Sequence, residues 1–402
     1  MKIAIIGFGT VGSGVAEMLS DSAHLIKARL GQDVTVGKIV DIRCPQEPWA
    51  QYWTQDFNDV LTDPEIGVVV ECIGGTHPAY DYTMAALESG RHVVSSNKEL
   101  VSTHGAKLLA TAKEHDVSYL FEASVGGGIP LLGPIARFLS HEDITGIYGI
   151  LNGTTNFIMT RMEEDAIPFA DAVALAQKNG YAETDPTADI EGIDACRKTA
   201  ILASMLSKKT VLPEDIVTEG IRNLTAADSA AANTAGFGLK LICRITKNGD
   251  RIGACVTPAL VPRACPLFGV HDVFNGVLMT GAHLGDTFFY GRGAGKQPTA
   301  CAVVSDIVEA IDYKGHIPYF DWSEERAEID DASLDESYWI LRTAPENVGI
   351  LDDVFALRRR FMSGGEAVVI TPAMTKPQYD ALAEKAKARG ADIRSALHVN
   401  SK

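Results

Sequence analysis

Nowhere in the 402 residues does an apolar run approach the ~18 needed to cross a bilayer, so the chain offers no membrane-spanning helix. Positive charge is also scarce, with 36 Lys and Arg against 52 Asp and Glu and a net charge of −16 with His neutral. Such a surface repels phosphate backbones and acidic lipid headgroups, and neither nucleic acid nor membrane is expected as a partner. The seven cysteines (Cys44, Cys72, Cys196, Cys243, Cys255, Cys265, Cys301) are odd in number and hold no CxxC pair. That usage fits buried thiols in a reducing compartment better than a redox or metal centre. Residues 1–6 imitate a secretory signal, but Gly7, Gly9, Gly12 and Gly14 cut the apolar stretch and no small-x-small site precedes Glu17. A cytoplasmic location is expected.

What is present is an ordinary globular balance, 46% apolar and 22% charged, long enough at ~150 residues per domain for two or three domains. Residues 2–7 are apolar almost throughout, as in a parallel strand covered on both faces. Similar runs at 34–40, 67–70 and 92–94 alternate with helical stretches at 80–89 and 106–115. This pattern predicts an α/β fold whose residues 1–130 form a Rossmann-type doubly wound domain that binds a dinucleotide. Beyond Pro130, amphipathic helices (169–178, 196–207) mix with alternating segments (145–151, 286–290), predicting an α+β domain over 131–320, to which the resemblance given below adds substrate binding and dimerisation. A helix near 299–312 is expected to pack back on the first domain. The acidic stretch 321–337 reads as a linker, and 337–402 as a small β/α appendage.

Gly7-x-Gly9-x-x-Gly12 joins the first strand to a helix. In such a turn the first glycine permits the bend, the second lets a pyrophosphate approach the backbone and the third lets helix pack on strand. Asp41 closes the second strand, where a carboxylate meets the ribose hydroxyls of NAD; Arg43 instead suits the 2′-phosphate of NADP. Lys98 follows the strand 92–96, at the edge where open α/β sheets bind ligands. The segment Glu122-Ala-Ser-Val125-Gly126-Gly127-Gly128-Ile129-Pro130 suits either a tight turn or a hard cation held by backbone oxygens, and spacing alone favours the turn. Asp194 and Lys198 lie four apart on a predicted helix over 190–207 and share one face. A solvated pair worth ~0.3–0.5 kcal/mol explains them, and so does an ammonium held by a carboxylate and aimed at a ligand. Gly291-Arg-Gly-Ala-Gly295 is a second glycine-rich strand-to-helix turn, suited to close packing or to cofactor contact.

These pieces, with Gly153-Thr-Thr-Asn-Phe-Ile158 and Gly180-Tyr181-x-Glu183-x-Asp185-Pro186, resemble the homoserine dehydrogenase family over residues 2–312. The resemblance implies an NAD- or NADP-dependent enzyme of threonine and methionine biosynthesis, acting on L-homoserine and L-aspartate 4-semialdehyde and forming homodimers through the second domain. By the same resemblance Gly7, Phe8, Gly9, Thr10, Val11, Gly12 and Gly74 line the dinucleotide, with Gly180 and Gly295 approaching from the second domain. Lys98 lies by the nicotinamide and substrate, Glu183, Asp194 and Tyr181 hold the amino acid, and Lys198 donates the proton. A sodium ion is implied at Glu122, Val125, Gly127 and Ile129, against the turn-only reading. A nucleotide sensor without chemistry would lack Lys98, Glu183 or Lys198, and all three are present. The appendage resembles an ACT domain, but a truncated one, short by a strand and interrupted at Arg358-Arg359-Arg360.

Overall fold

The computed structural model describes residues 1–137, 141–331 and 335–399. Strands β1 (Lys2–Ile6), β2 (Thr35–Val40), β3 (Trp53–Thr54), β4 (Ile66–Glu71), β5 (His92–Ser95) and β6 (Tyr119–Leu120) form one sheet in the order β3-β2-β1-β4-β5-β6. Every pairing in it is parallel. Helices α1 (Thr10–Asp21), α2 (Ala23–Leu30), α3 (Asn58–Leu61), α4 (Ala79–Glu88) and α5 (Lys98–Glu114) connect the strands. Residues 3–6 and 68–70 are wholly buried, so the strands need unbroken apolar sequence instead of alternation. The order reverses between β1 and β4, which opens a crevice at the carboxyl ends of the strands.

The middle region runs α6 (Leu132–Arg137), β7 (Ile144–Ile150), α7 (Gly153–Glu164), α8 (Phe169–Lys178), α9 (Thr187–Ile190) and α10 (Ile193–Ser207). It continues through β8 (Lys209–Thr210), β9 (Val217–Thr218), α11 (Ala226–Ala235), β10 (Phe237–Asn248) and β11 (Arg251–Pro262). It ends with β12 (Phe274–Gly281), β13 (Gly285–Arg292), α12 (Lys296–Tyr313), β14 (Ser323–Arg326) and β15 (Glu328–Asp330). A mixed sheet, β13-β12-β7-β10-β11-β15, forms its centre, with β9 also on β11. The helix expected over 190–207 is two helices, because Gly192 between them takes the left-handed conformation, φ +78°. The acidic stretch read as a linker is in part strand: β14 pairs with β8 and β15 with β11. Its carboxylates sit along strand edges against cations, Glu325 on Lys209 and Glu328 on Arg251. Residues 332–334 of that stretch lie outside the described residues. Helix α12 returns to the first region, where a Cβ on Gly14 of α1 would lie 2.9 Å from Lys296 Cγ and 3.2 Å from Ala300 Cβ. No helix among the described residues is long and apolar enough to cross a membrane.

The C-terminal region is β16 (Trp339–Thr343), α13 (Val348–Phe355), β17 (Arg359–Ser363), β18 (Glu366–Ile370), α14 (Lys376–Ala388) and β19 (Ile393–His398). Its sheet, β17-β18-β16-β19, is antiparallel, which makes a complete βαββαβ unit. The expected truncation is therefore corrected. The arginine run does not interrupt the unit; it opens β17, an edge strand whose exposed positions accept charge. Trp339, Leu341, Leu351, Phe355, Val369 and Tyr379 give this unit a core of its own. Arg342, held by Asp228 and Glu366 at 2.7 Å each, ties it to α11.

Candidate active site

The glycine turn shows a division of labour among its three glycines. Gly7 has φ +89°, and a Cβ there would lie 2.8 Å from the Cys72 carbonyl oxygen; a Cβ on Gly12 would lie 2.1 Å from that of Gly7. A Cβ on Gly9 would meet nothing within 4 Å. The outer glycines are thus fixed by packing, and the middle one leaves open space in front of α1. Gly9 caps α1 without a side-chain hydrogen bond, so the first-turn N–H groups, with the helix dipole behind them, face an anion site. The Phe8 N–H, by contrast, is already donated to Asp41 Oδ2 at 2.6 Å, and Arg43 N–H goes to Asp41 Oδ1 at 2.9 Å. Gly7, Gly9, Asp41, Arg43 and Ile73 line a cleft of about 570 Å³.

Across the crevice stands a clasp of three charges. Asp194, near the start of α10, places Oδ1 2.5 Å from Lys98 Nζ and Oδ2 2.7 Å from Lys198 Nζ. Lys98 opens α5 of the parallel-sheet region, so the carboxylate bridges the two regions. The solvated-pair reading of Asp194 and Lys198 fails, since both side chains are buried. Burial opposes ionisation of Asp194, but the ammonium groups of Lys198 and Lys98 outweigh it and hold the carboxyl well below the usual range. For Lys98, burial again works against charge, and Asp194 followed by Asp189 turns the shift upward. Lys198 also donates to the Leu151 carbonyl at 2.8 Å. Asn152 Nδ2 donates to Asp194 Oδ2 at 2.8 Å and to Asp189 Oδ1 at 2.7 Å, while its oxygen caps α7 through Thr155 N–H.

Other expected residues stand apart from this clasp. Tyr181 is 45% exposed, packs its ring edge-on to Phe157 and accepts from Thr154 through its carbonyl. Glu183 is exposed, and its side chain makes no described hydrogen bond or ion pair; only its carbonyl is engaged, by Gln177. Gly180 (φ +74°) closes α8 ahead of them. Gly74 has nothing within 4 Å of a Cβ position. Gly295 caps α12 at φ +118°, and the first turn of that helix lies against α1, with Lys296 paired to Glu17 at 2.7 Å. The loop before it packs closely: a Cβ on Gly127 would lie 2.3 Å from the Gly293 carbonyl oxygen, and Gly128 N–H donates to Arg292.

Glu122 is buried beneath this contact. Its oxygens accept from Leu131, Leu132 and Gly133 N–H at 2.5, 2.8 and 2.6 Å, capping α6. Asp306 of α12 accepts from Glu122 N–H at 2.9 Å. Burial pushes both carboxyls up, Asp306 the further, with Glu122 adding to it. The carbonyls of Val125, Gly127 and Ile129 accept none of the described hydrogen bonds. Among the described residues no group of three or more His, Cys, Asp and Glu is placed to hold a metal. Cys196 is also passive here, its thiol donating to the Pro213 carbonyl and pushed up by burial.

Two contributors escape the sequence reading. Asn152 precedes Gly-Thr-Thr at a helix start, which is an N-cap signal, but its bridge to Asp189 and Asp194 needs the fold. Glu71 ends an apolar run, and a carboxylate at the carboxyl end of a buried parallel strand is the available clue.

A parallel sheet of reversed order, a glycine turn feeding an uncapped helix and an ammonium–carboxylate clasp across the crevice define a nicotinamide-dinucleotide oxidoreductase. Residues 7–122 match the family model described as homoserine dehydrogenase, NAD binding domain, and residues 130–308 the model described as homoserine dehydrogenase. The homoserine dehydrogenase of Bacillus subtilis is 41% identical over 319 residues, 77% of this chain and 73% of that one. That of Corynebacterium glutamicum is 38% identical over 366 residues, 88% and 82%. The crystal structure of a homoserine dehydrogenase from Thiobacillus denitrificans superposes with TM-score 0.89 at 31% identity, covering 100% of this chain and 98% of that one. A hyperthermophilic archaeal homoserine dehydrogenase in complex with NADPH superposes at 0.64 and 26% identity, covering 77% and 97%. The chain belongs to the homoserine dehydrogenase family.

Proposed function

We propose that this chain interconverts L-homoserine and L-aspartate 4-semialdehyde in threonine and methionine biosynthesis, with Lys198 as the proton donor and acceptor. The observation that carries the reading is the sharing of Asp194 between Lys98 and Lys198 at 2.5 and 2.7 Å. Residues present fit NAD or NADP: the open space at Gly9 and the free first turn of α1 at Thr10 and Val11 suit a pyrophosphate, Asp41 or Arg43 the ribose end, and Gly74, Gly180 and Gly295 the walls. The bound dinucleotide supplies or accepts the hydride. As reduction proceeds, negative charge grows on the aldehyde oxygen; an ammonium in reach stabilises it and then yields a proton, help worth about 10²–10⁴-fold. Asp194 keeps Lys198 oriented, and Lys98 adds a second positive charge. Glu183, exposed and unpaired, is left to receive the substrate α-ammonium, with Tyr181 beside it.

The division of work we propose follows residues 1–130 for the dinucleotide, 131–320 for substrate and dimer contacts, and 337–402 as the ACT-like unit. Phe288 and Tyr290 on the edge strand β13 are 38% and 51% exposed and support a homodimer built on that region. We extend the proposal to a sodium ion at the segment Glu122 to Ile129: the carbonyls of Val125, Gly127 and Ile129 accept none of the described hydrogen bonds and would supply hard oxygen ligands, with the Glu122 carboxylate, bonded to three N–H groups, adding negative charge. The function is tested by following nicotinamide absorbance with homoserine and each oxidised cofactor. Turnover with at least one is expected, and silence with both overturns the reading.

A further inference from the structure

Glu71 ends β4 with no accessible surface and no cation among its described partners. Its Oε2 accepts from Ser95 Oγ at 2.6 Å, and its Oε1 from Ile73 N–H at 2.7 Å and, more distantly, from Asn97 Nδ2 at 3.4 Å. Asn97 Nδ2 also donates to the carbonyls of Ile73 and Gly75 at 2.9 and 2.7 Å, and its oxygen caps α5 through Glu99 and Leu100 N–H. Asn97 N–H in turn donates to Ser95 Oγ at 3.0 Å. One carboxylate thus binds together the loop after β4, which carries Gly74, and the start of α5, which carries Lys98.

We propose that Glu71 is a positioning residue for the reaction: it registers the Gly74 loop and the Lys98 helix start against each other, so that dinucleotide and ammonium meet the substrate in fixed relation. The inference rests on the reading above that both segments face the dinucleotide crevice. The Ile73 N–H and the Asn97 amide can only donate to the carboxylate, so a glutamine NH2 turned toward them would leave a buried donor unpaired, and one turned toward Ser95 would displace the hydroxyl proton that Glu71 now accepts. Burial, opposed by the bonds from Ser95, Ile73 and Asn97, brings the carboxyl up to about 7. The other titratable groups facing it stay neutral there. The Cys72 thiol is pushed up to about 12 by burial and then by Glu71, and burial raises the Tyr119 hydroxyl well above its ordinary value.

The test uses the full chain and the variants E71Q, E71D and S95A. It reads cofactor dissociation by nicotinamide fluorescence, kcat, the two KM values and the pH profile. E71Q should weaken the cofactor on the order of tenfold, lower kcat and leave the homoserine KM nearly unchanged. Its cofactor affinity should also lose the pH dependence that the wild type shows around neutrality, while E71D retains a titration. Should E71Q fail to fold, S95A, which removes one donor, should weaken the cofactor in the same sense but less. Wild-type cofactor affinity and pH profile in E71Q, or in S95A where E71Q does not fold, overturn the proposal, as does a change confined to thermal stability. If the wild type binds dinucleotide but leaves homoserine untouched, the proposed function fails while the role of Glu71 is still read from cofactor affinity.

Discussion

Asp194 in the crevice and the pair Glu122–Asp306 beneath the glycine loops are equally hidden from water, yet their carboxyls shift in opposite directions. Burial disfavours the charged form in both places. At Asp194 two ammonium groups outweigh it, whereas at Glu122 backbone donors offset it only in part and at Asp306 the neighbouring carboxylate adds to it. The difference lies in the countercharge. The crevice carries its own cations, one from each side, so its charge is built in; around the acidic pair, Arg137 and the backbone donors offset burial only in part, and both carboxyls stay raised. This contrast supports a lysine-centred reaction in one region and a cation site in the other.

The sharpest way to break the comparison is Lys198→Ala. It should lower kcat by about 10²–10⁴-fold while dinucleotide affinity stays nearly constant; substantial remaining turnover would move the proton donor elsewhere. Next comes Asp194→Asn, which strands two ammonium groups and should destabilise the chain by about 3–5 kcal/mol as well as suppress turnover. Because its carboxyl titrates below the ordinary unfolded value, the clasp contributes stability above that value and loses it only in stronger acid. Denaturation at pH 5 should therefore find it intact. Smaller is the effect of cations at Glu122. Sodium should raise the melting temperature, by the equivalent of about 2.7 kcal/mol at a hundredfold excess over Kd, and Glu122→Gln should abolish the response. Equal responses to choline and sodium would exclude the site.

The smallest effect at neutral pH belongs to the C-terminal unit, where burial and then Arg244 push His398 down to about 4. Unfolded, it would take a proton near 6.5, so between about 6.5 and 4 the unfolded chain holds more protons and stability falls as pH falls. His398→Gln should flatten that slope in a pH series of melting curves and leave activity at pH 7 alone. An unchanged slope would assign the acid sensitivity to other groups.

Much of this is legible in the sequence alone. The unbroken apolar strands, the glycine turn and the i,i+4 spacing of Asp194 and Lys198 each express a local rule, and local rules survive folding. The reach of Lys98 from another region to Asp194 does not, because no spacing relates residues that meet only through topology. The same holds for Asn152, whose cap is legible while its bridge to Asp189 and Asp194 is not. The first edge strand of the C-terminal unit is illegible for a further reason. Arg359 and Arg360 do not look like strand residues, but an edge strand exposes enough surface to hold them.

Helix α12 lies against α1 although nearly three hundred residues of chain separate them, so the N-terminal sheet has one of its covering layers delivered late. On a ribosome adding ~5–20 residues per second, the Gly14 face of α1 waits uncovered until most of the middle region has been synthesised. The nucleotide-binding part therefore waits for a helix made long after its own strands, and a nascent chain halted before Lys296 would present an apolar flank for chaperones to shield.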